Sequence, residues 1–172
     1  MKKIIALLLV VVMAMGVFAA CGKDNGTPDG MQDVSGEGVA YSLYIPATWN
    51  PSYDVDGGYY SQDDKSSVNV TSYYPDIDTP TIAAYWEKCK ESYSATYGNF
   101  KVIEEAKEIV LGGKAAASYV FEGEMAGQAL KYRQIIAVHG DKFYIMTYTS
   151  TPENYDLHET EVQAIIDNFK FK

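Results

Sequence analysis

The chain has 172 residues, the length of one domain plus a targeting segment, and its 14 Lys and Arg against 23 Asp and Glu give a net charge of -9 and a pI of about 4.6. Counterion release at phosphates needs clustered cations, so nucleic acid is excluded as the expected partner. Hydrophobic residues at 47% and aromatic residues at 13% exceed what a disordered acidic chain carries, and they predict a packed core.

The first twenty residues read as an address. Lys2 and Lys3 precede an uncharged apolar run over residues 4–20, which is the charged head and hydrophobic body of an export signal. The run is short for a membrane-spanning helix and lacks a cationic flank after it. Phe18-Ala19-Ala20-Cys21 resembles the bacterial lipobox, with Phe18 where that motif usually has Leu. The resemblance implies that Cys21 is acylated and becomes the new N-terminus. Ordinary secretory cleavage after Val17-Phe18-Ala19 is the alternative. A diacylglycerol thioether carries two chains, and at about 0.8 kcal/mol per buried CH₂ two chains anchor stably where one is marginal.

Residues 21–38 then read as the acylated cysteine and a flexible tether, because Gly22, Gly26, Gly30, Gly36, Gly38 and Pro28 stand among polar residues. Without Lys2 and Lys3 the processed chain has 12 cations against 23 anions, a charge of -11. Such a surface is repelled by anionic lipid, so the anchor and not the domain face is expected to hold the membrane.

Residues 39–172 are expected to form a single domain. Residues 39–45 alternate, with Tyr41, Leu43 and Ile45 on one face, and Pro46 ends the strand. Residues 59–61 and 67–74 are two further short strands of a meander, bracketed by Gly57-Gly58 and a polar loop. Thr79-Pro80 reads as the cap and first turn of a helix running to about Thr96. Its stripe Ile82, Trp86, Cys89 and Tyr93 is spaced for one apolar face.

Four strands follow over residues 100–111, 114–124, 128–138 and 142–149. Gly112-Gly113, Met125-Ala126-Gly127 and Gly140-Asp141 separate them as hairpin turns. The last two strands are apolar on both faces, which predicts a sheet covered on both sides and hence three layers. Ser150-Thr151-Pro152-Glu153 reads as a capping box opening a final helix. Its stripe comprises Tyr155, His158, Val162, Ile165, Ile166 and Phe169, and the chain is expected to end on it.

The opening Tyr41-Ser42-Leu43-Tyr44-Ile45-Pro46-Ala47-Thr48-Trp49, with its Pro-x-x-Trp, resembles the first strand of PsbP-like proteins. The closing Ile165-Ile166-Asp167-Asn168-Phe169-Lys170-Phe171 is similar to their last helix and final Phe-x-Phe. This resemblance, spanning about residues 39–172, implies a three-layer α/β/α sandwich around a mainly antiparallel sheet. It also implies a non-enzymatic, extracytoplasmic accessory role. The residues that serve the photosynthetic members have no evident counterpart here.

Candidate chemistry is sparse. Cys89 is expected to be a buried structural thiol, since a single remaining cysteine cannot form an internal disulfide. His139 falls at a hairpin tip and His158 near the apolar edge of the last helix, so both are expected to be structural. No nucleophile elbow, zinc helix, dinucleotide turn or phosphate loop is present. Asp54 and Asp56, Asp63 and Asp64, and Asp76 and Asp78 cluster in loops, where solvated turn carboxylates are expected over calcium ligands. Tyr59-Tyr60 and Tyr73-Tyr74 place one ring on each side of a strand.

These features predict a lipoprotein on the outer face of the cell membrane, with a non-catalytic binding or accessory role toward an unknown protein or cell-envelope partner. No catalytic residue, metal or cofactor is expected. A small cell-surface hydrolase using paired carboxylates and a carbohydrate-binding module using exposed tyrosines are the alternatives.

Overall fold

The computed structural model describes residues 26–52, 54–76 and 80–172. Its first strand, β1 (Met31–Asp33), lies in the segment read as tether. It pairs antiparallel with β3 (Tyr44–Pro46), which follows β2 (Tyr41–Ser42). Met31 and Val34 pack against the core, so the ordered domain begins before residue 39. Polar composition concealed this because side chains hold the segment: Gln32 Nε2 donates to the Trp49 carbonyl at 2.7 Å, and the Leu43 amide donates to Ser35 Oγ at 2.8 Å. That last bond also divides the single strand expected over residues 39–45. At Leu43 the backbone turns from one partner strand to another.

The Pro-x-x-Trp segment closes a turn, with the Trp49 amide donating to the Pro46 carbonyl at 2.9 Å. β4 (Asn50–Pro51), β5 (Gly57–Tyr59) and β6 (Ser67–Tyr73) then form a meander, in which β4 was not expected and β5 runs over Gly57-Gly58 where the reading placed a strand after them. Helix α1 (Ile82–Thr96) starts later than the Thr79-Pro80 reading placed it. Its cap is Thr81, whose hydroxyl accepts from the Ala84 amide at 3.1 Å. Pro80 therefore precedes the cap, and Thr79 lies outside the described residues.

Four long strands follow: β7 (Gly98–Leu111), β8 (Lys114–Met125), β9 (Gln128–His139) and β10 (Lys142–Ser150). Two-residue turns join them in sequence. In Gly112-Gly113 and Ala126-Gly127 both residues have positive φ, the mirror-image turn that matches strand twist. The main sheet has the order β4-β5-β6-β10-β9-β8-β7, every neighbouring pair antiparallel.

The capping box does not open a helix. Ser150 remains in β10 and shares a 2.8 Å hydroxyl hydrogen bond with Ser66, while Thr151 Oγ1 accepts from the Asn154 amide. A 3₁₀ turn, Tyr155–His158, then leads into α2 (Glu159–Asn168). The chain goes on past this helix into β11 (Lys170–Phe171), which pairs with β2.

Alternation in the central strands sorts their side chains into two clusters. Ile135, Ala137, Tyr144, Met146 and Tyr148 join Val162, Ile165, Ile166 and Phe169 from the α2 segment, together with Tyr41, Leu43, Ile45 and Trp49. Ile136, Phe143 and Ile145 join Trp86 and Cys89 of α1. The domain is thus a sheet-rich mixed α/β fold whose sheet is covered on both faces. On the α1 side Trp86 stacks on Tyr119 with ring centroids 4.2 Å apart, a pairing worth about 0.5–1.5 kcal/mol beyond its buried area. None of the described helices is long and apolar enough to cross a membrane.

Candidate functional site

On the face that carries α2, the sheet leaves a cleft of about 210 Å³ between β7, β8 and β9 and the helical segment after β10. Its lining is dominated by charge: Lys107, Lys131 and Arg133 against Glu104, Asp156 and Glu159. Arg133 is the single arginine of the chain. It lies on the inward parity of β9, opposite Val120 of β8 and in phase with Ile135 and Ala137. The residue is half-buried, and Arg133 Nε donates to Ser118 Oγ at 3.1 Å.

A pair of bulges delivers the β7 residues. Val102 faces Phe121, Glu104 faces Val120 and Lys107 faces Ser118, with register shifts between each successive pair. Three positions apart on a regular strand, Glu104 and Lys107 would point to opposite faces. The extra residue between them brings both to the cleft, while Glu105 points to the other face, where its carboxylate accepts from Trp86 Nε1 at 3.2 Å.

Of the six charged groups in the cleft, only Lys131 and Asp156 approach within ion-pair range, at 3.8 Å. Lys131 Nζ also sits 4.1 Å above the Tyr155 ring. Arg133, Lys107, Glu104 and Glu159 close no ion pair among the described residues. Burial pushes the Tyr155 hydroxyl above its ordinary range, and the nearby Arg133 charge pulls it part of the way back. Two cations and two carboxylates are therefore held apart around a small polar space.

A second constellation centres on His158, which the sequence placed correctly in a packed position. Its ring is buried, Nδ1–H donates to Glu161 Oε2 at 2.6 Å, and Nε2 lies 3.4 Å from Asp64 Oδ1. Trp49 Nε1 donates to Glu161 Oε1 at 3.3 Å, and the Tyr60 ring lies 4.3 Å from the imidazole. Asp64 also accepts from the Ser66 amide. Burial would raise the Asp64 carboxyl, but the hydrogen bonds from Ser66 and His158 outweigh it and hold the group below its usual range.

The two ring nitrogens of His158 point opposite ways, so these donors do not converge on an ion, and the imidazole fills the space between the two acids. Ser66 and Ser150 are fully buried, out of a substrate's reach. This network clamps the start of α2 to the loop before β6.

The other expected residues are dispersed. Cys21 lies outside the described residues. Cys89 is buried, and burial pushes its thiol up despite the Tyr85 and Tyr93 hydroxyls beside it. His139 is at the end of β9 and half-buried, stacked on Phe171 at 4.4 Å. The acidic pairs split: Asp54 and Asp63 are exposed, Asp56 accepts a short hydrogen bond from the Tyr41 hydroxyl, and Asp76 pairs with Lys88 at 2.7 Å. Asp78 is outside the described residues. Asp56 and Asp64 thus serve packing and are not solvated turn carboxylates. Among the described residues no cluster of three or more His, Cys, Asp or Glu is arranged to hold a metal. Tyr60, Tyr73 and Tyr74 are exposed, and Tyr59 is half-buried. Arg133 was not singled out from sequence; the available signal was a lone arginine in phase with core residues.

The fold is shared with several solved structures. Cyanobacterial PsbP from Synechocystis aligns with a TM-score of 0.59 and 12% identity, covering 91% of this chain and 100% of its own. LpqN of Mycobacterium tuberculosis, described as involved in cell envelope biogenesis, aligns at 0.56 and 14%, covering 83% and 91%. A Pseudomonas aeruginosa protein of unknown function, described as a putative regulator, aligns at 0.55 and 21%, covering 78% and 92%. A comparison with curated proteins finds no match. The PsbP-like protein family matches by sequence over residues 60–171, and with the antiparallel sheet and its two helices already in place, this chain belongs to that family.

Proposed function

We propose that the chain is an exported lipoprotein, acylated at Cys21, whose body binds a ligand at the Arg133 cleft without transforming it. In this reading the body is a three-layer α/β/α sandwich held at the outer face of the cell membrane. Because β1 begins at Met31 and the Gly30 carbonyl already accepts from the Ala47 amide at 2.8 Å, the tether is shorter than residues 21–38. The domain therefore works close to the bilayer, toward envelope components or proteins anchored beside it, and takes no nucleic acid. The envelope role in the description of LpqN is consistent with that placement.

The observation that carries the binding reading is the set of unpaired charges around Arg133. A guanidinium that spends only its Nε on Ser118 keeps its terminal nitrogens for a planar bidentate partner. The two histidines and the thiol are engaged in packing, with no activated nucleophile beside them.

Intact mass spectrometry of the native protein tests the anchor. A terminus at Cys21 carrying acyl mass, lost with release from membranes in Cys21→Ala, is expected. An unmodified terminus would remove it. Crosslinking in intact cells tests the cleft: Arg133→Gln should lose the crosslinked species of the parent chain while staying on the membrane.

A further inference from the structure

The charge arrangement of the cleft specifies more than an anion. We propose that it binds a small zwitterion, an amino acid or the free ends of a very short peptide, with the ligand carboxylate on Arg133 and its ammonium toward Glu104 and Glu159. The inference rests on the binding reading above and names its ligand.

Three observations lead to it. First, the cleft holds both signs unpaired: Arg133 and Lys107 for a carboxylate, Glu104 and Glu159 for an ammonium. A simple anion would leave two carboxylates facing it, and a simple cation would leave Arg133 and Lys107 facing it. A zwitterion answers both pairs with charge-assisted hydrogen bonds. Second, the volume of about 210 Å³ is below the range of roughly 300–1,000 Å³ common for drug-sized ligands and suits a body of a few carbons. Third, the processed chain carries a charge of -11 by its sequence. That field opposes the approach of a multiply charged anion but does no work on a ligand of zero net charge.

The elements sort part of the charge, while β7 brings both signs, Glu104 and Lys107, to the cleft. Arg133 and Lys131 rise from β9, with Ser118 beside Arg133, so β9 brings only cations to the cleft. Glu159 opens α2 and Asp156 lies in the preceding 3₁₀ turn, so part of the acidic wall is the helical segment. Lys131, already matched by Asp156 and the Tyr155 ring, is left as wall.

Calorimetry of the full processed chain purified from membranes in detergent tests this, using three probes: alanyl-alanine, its N-acetyl form and its C-terminal amide. Alanyl-alanine should bind with Kd in about the millimolar range or tighter. Blocking either end should weaken it by at least about tenfold, the scale of one lost charge-assisted contact. Arg133→Gln should abolish binding. Arg133→Lys, which keeps charge but loses the fork, should bind more weakly than the parent. Glu159→Gln should weaken alanyl-alanine and its C-terminal amide, which keep the ammonium, and leave the N-acetyl form within about twofold.

Circular dichroism checks each variant, and because Glu159 is an exposed helix residue, that variant keeps the test valid if Arg133→Gln fails to fold. Equal affinity for the acetylated probe, or no heat from alanyl-alanine at about 10 mM, overturns the zwitterion. If the probes fail while Arg133→Gln still loses its crosslinks in cells, the binding site stands with another ligand. If the crosslinks persist as well, both readings fall.

Discussion

His158 shows how one side chain can look chemical and serve architecture. Its ring lies between the carboxylates of Asp64 and Glu161 and against the Tyr60 ring, joining two segments far apart in sequence. Removing it leaves a cavity between the two carboxylates and takes away the Glu161 hydrogen bond, so His158→Ala should cost about 2–4 kcal/mol in urea unfolding. The Asp64 carboxyl, held below its usual range by Ser66 and His158, gives this region an acid dependence. A depressed folded pKa contributes stability that is present above the unfolded value of about 4 and is lost as pH falls through the folded one. Asp64→Asn should therefore lower stability at neutral pH and differ progressively less from the parent chain below about pH 4, as urea midpoints across pH would show. Midpoints that stay parallel down to the acid limit would show that Asp64 has no such role. Cys89 belongs at this scale too. With its thiol buried and pushed up, it should resist a thiol reagent in the folded protein and react on unfolding. Rapid labelling of the native chain would contradict that burial.

The elements that could be read from sequence are those whose pattern is local and repeated. The four long strands have boundaries within a residue or two of the readings, because two-residue glycine turns leave no freedom in where a hairpin reverses. The stripe of Tyr155, His158, Val162, Ile165, Ile166 and Phe169 is buried throughout. What was not legible depends on long-range partners. β1 is three residues in a polar, glycine-rich stretch that become a strand because β3 offers an edge. The division of residues 39–45 at Leu43 depends on Ser35, eight residues away. The cleft was hidden for the same reason: its parts are spread from Glu104 to Gln163, and the bulges of β7 that bring Glu104 and Lys107 to one face cannot be counted from periodicity.

Thr81→Ala removes the cap of α1 and should cost about 1 kcal/mol by urea unfolding, whereas an unchanged midpoint would return the helix start to an earlier residue. A chain beginning at residue 40 loses β1, the Gln32 contact and the Ser35 bond. It should be about 2–4 kcal/mol less stable than one beginning at residue 26. Equal stability would make residues 26–39 a tether after all.

At the scale of the molecule, the sheet has a short edge, β4, and a long one, β7. The long edge is protected by its bulges and by alternating charge at Lys101, Glu104, Glu105, Lys107 and Glu108, all exposed. Those same bulges build the cleft, so the device that keeps β7 from pairing with another chain also turns Glu104 and Lys107 toward Arg133. A net charge of -9 sets the chain apart from an anionic bilayer, so under the proposal attachment falls to an acyl group on Cys21. The most direct measurement of whether the chain acts by binding at its cleft is crosslinking in intact cells expressing the parent chain or Arg133→Gln at matched levels. The account predicts that the crosslinked species of the parent chain disappear in the variant. Identical species from both chains would contradict it.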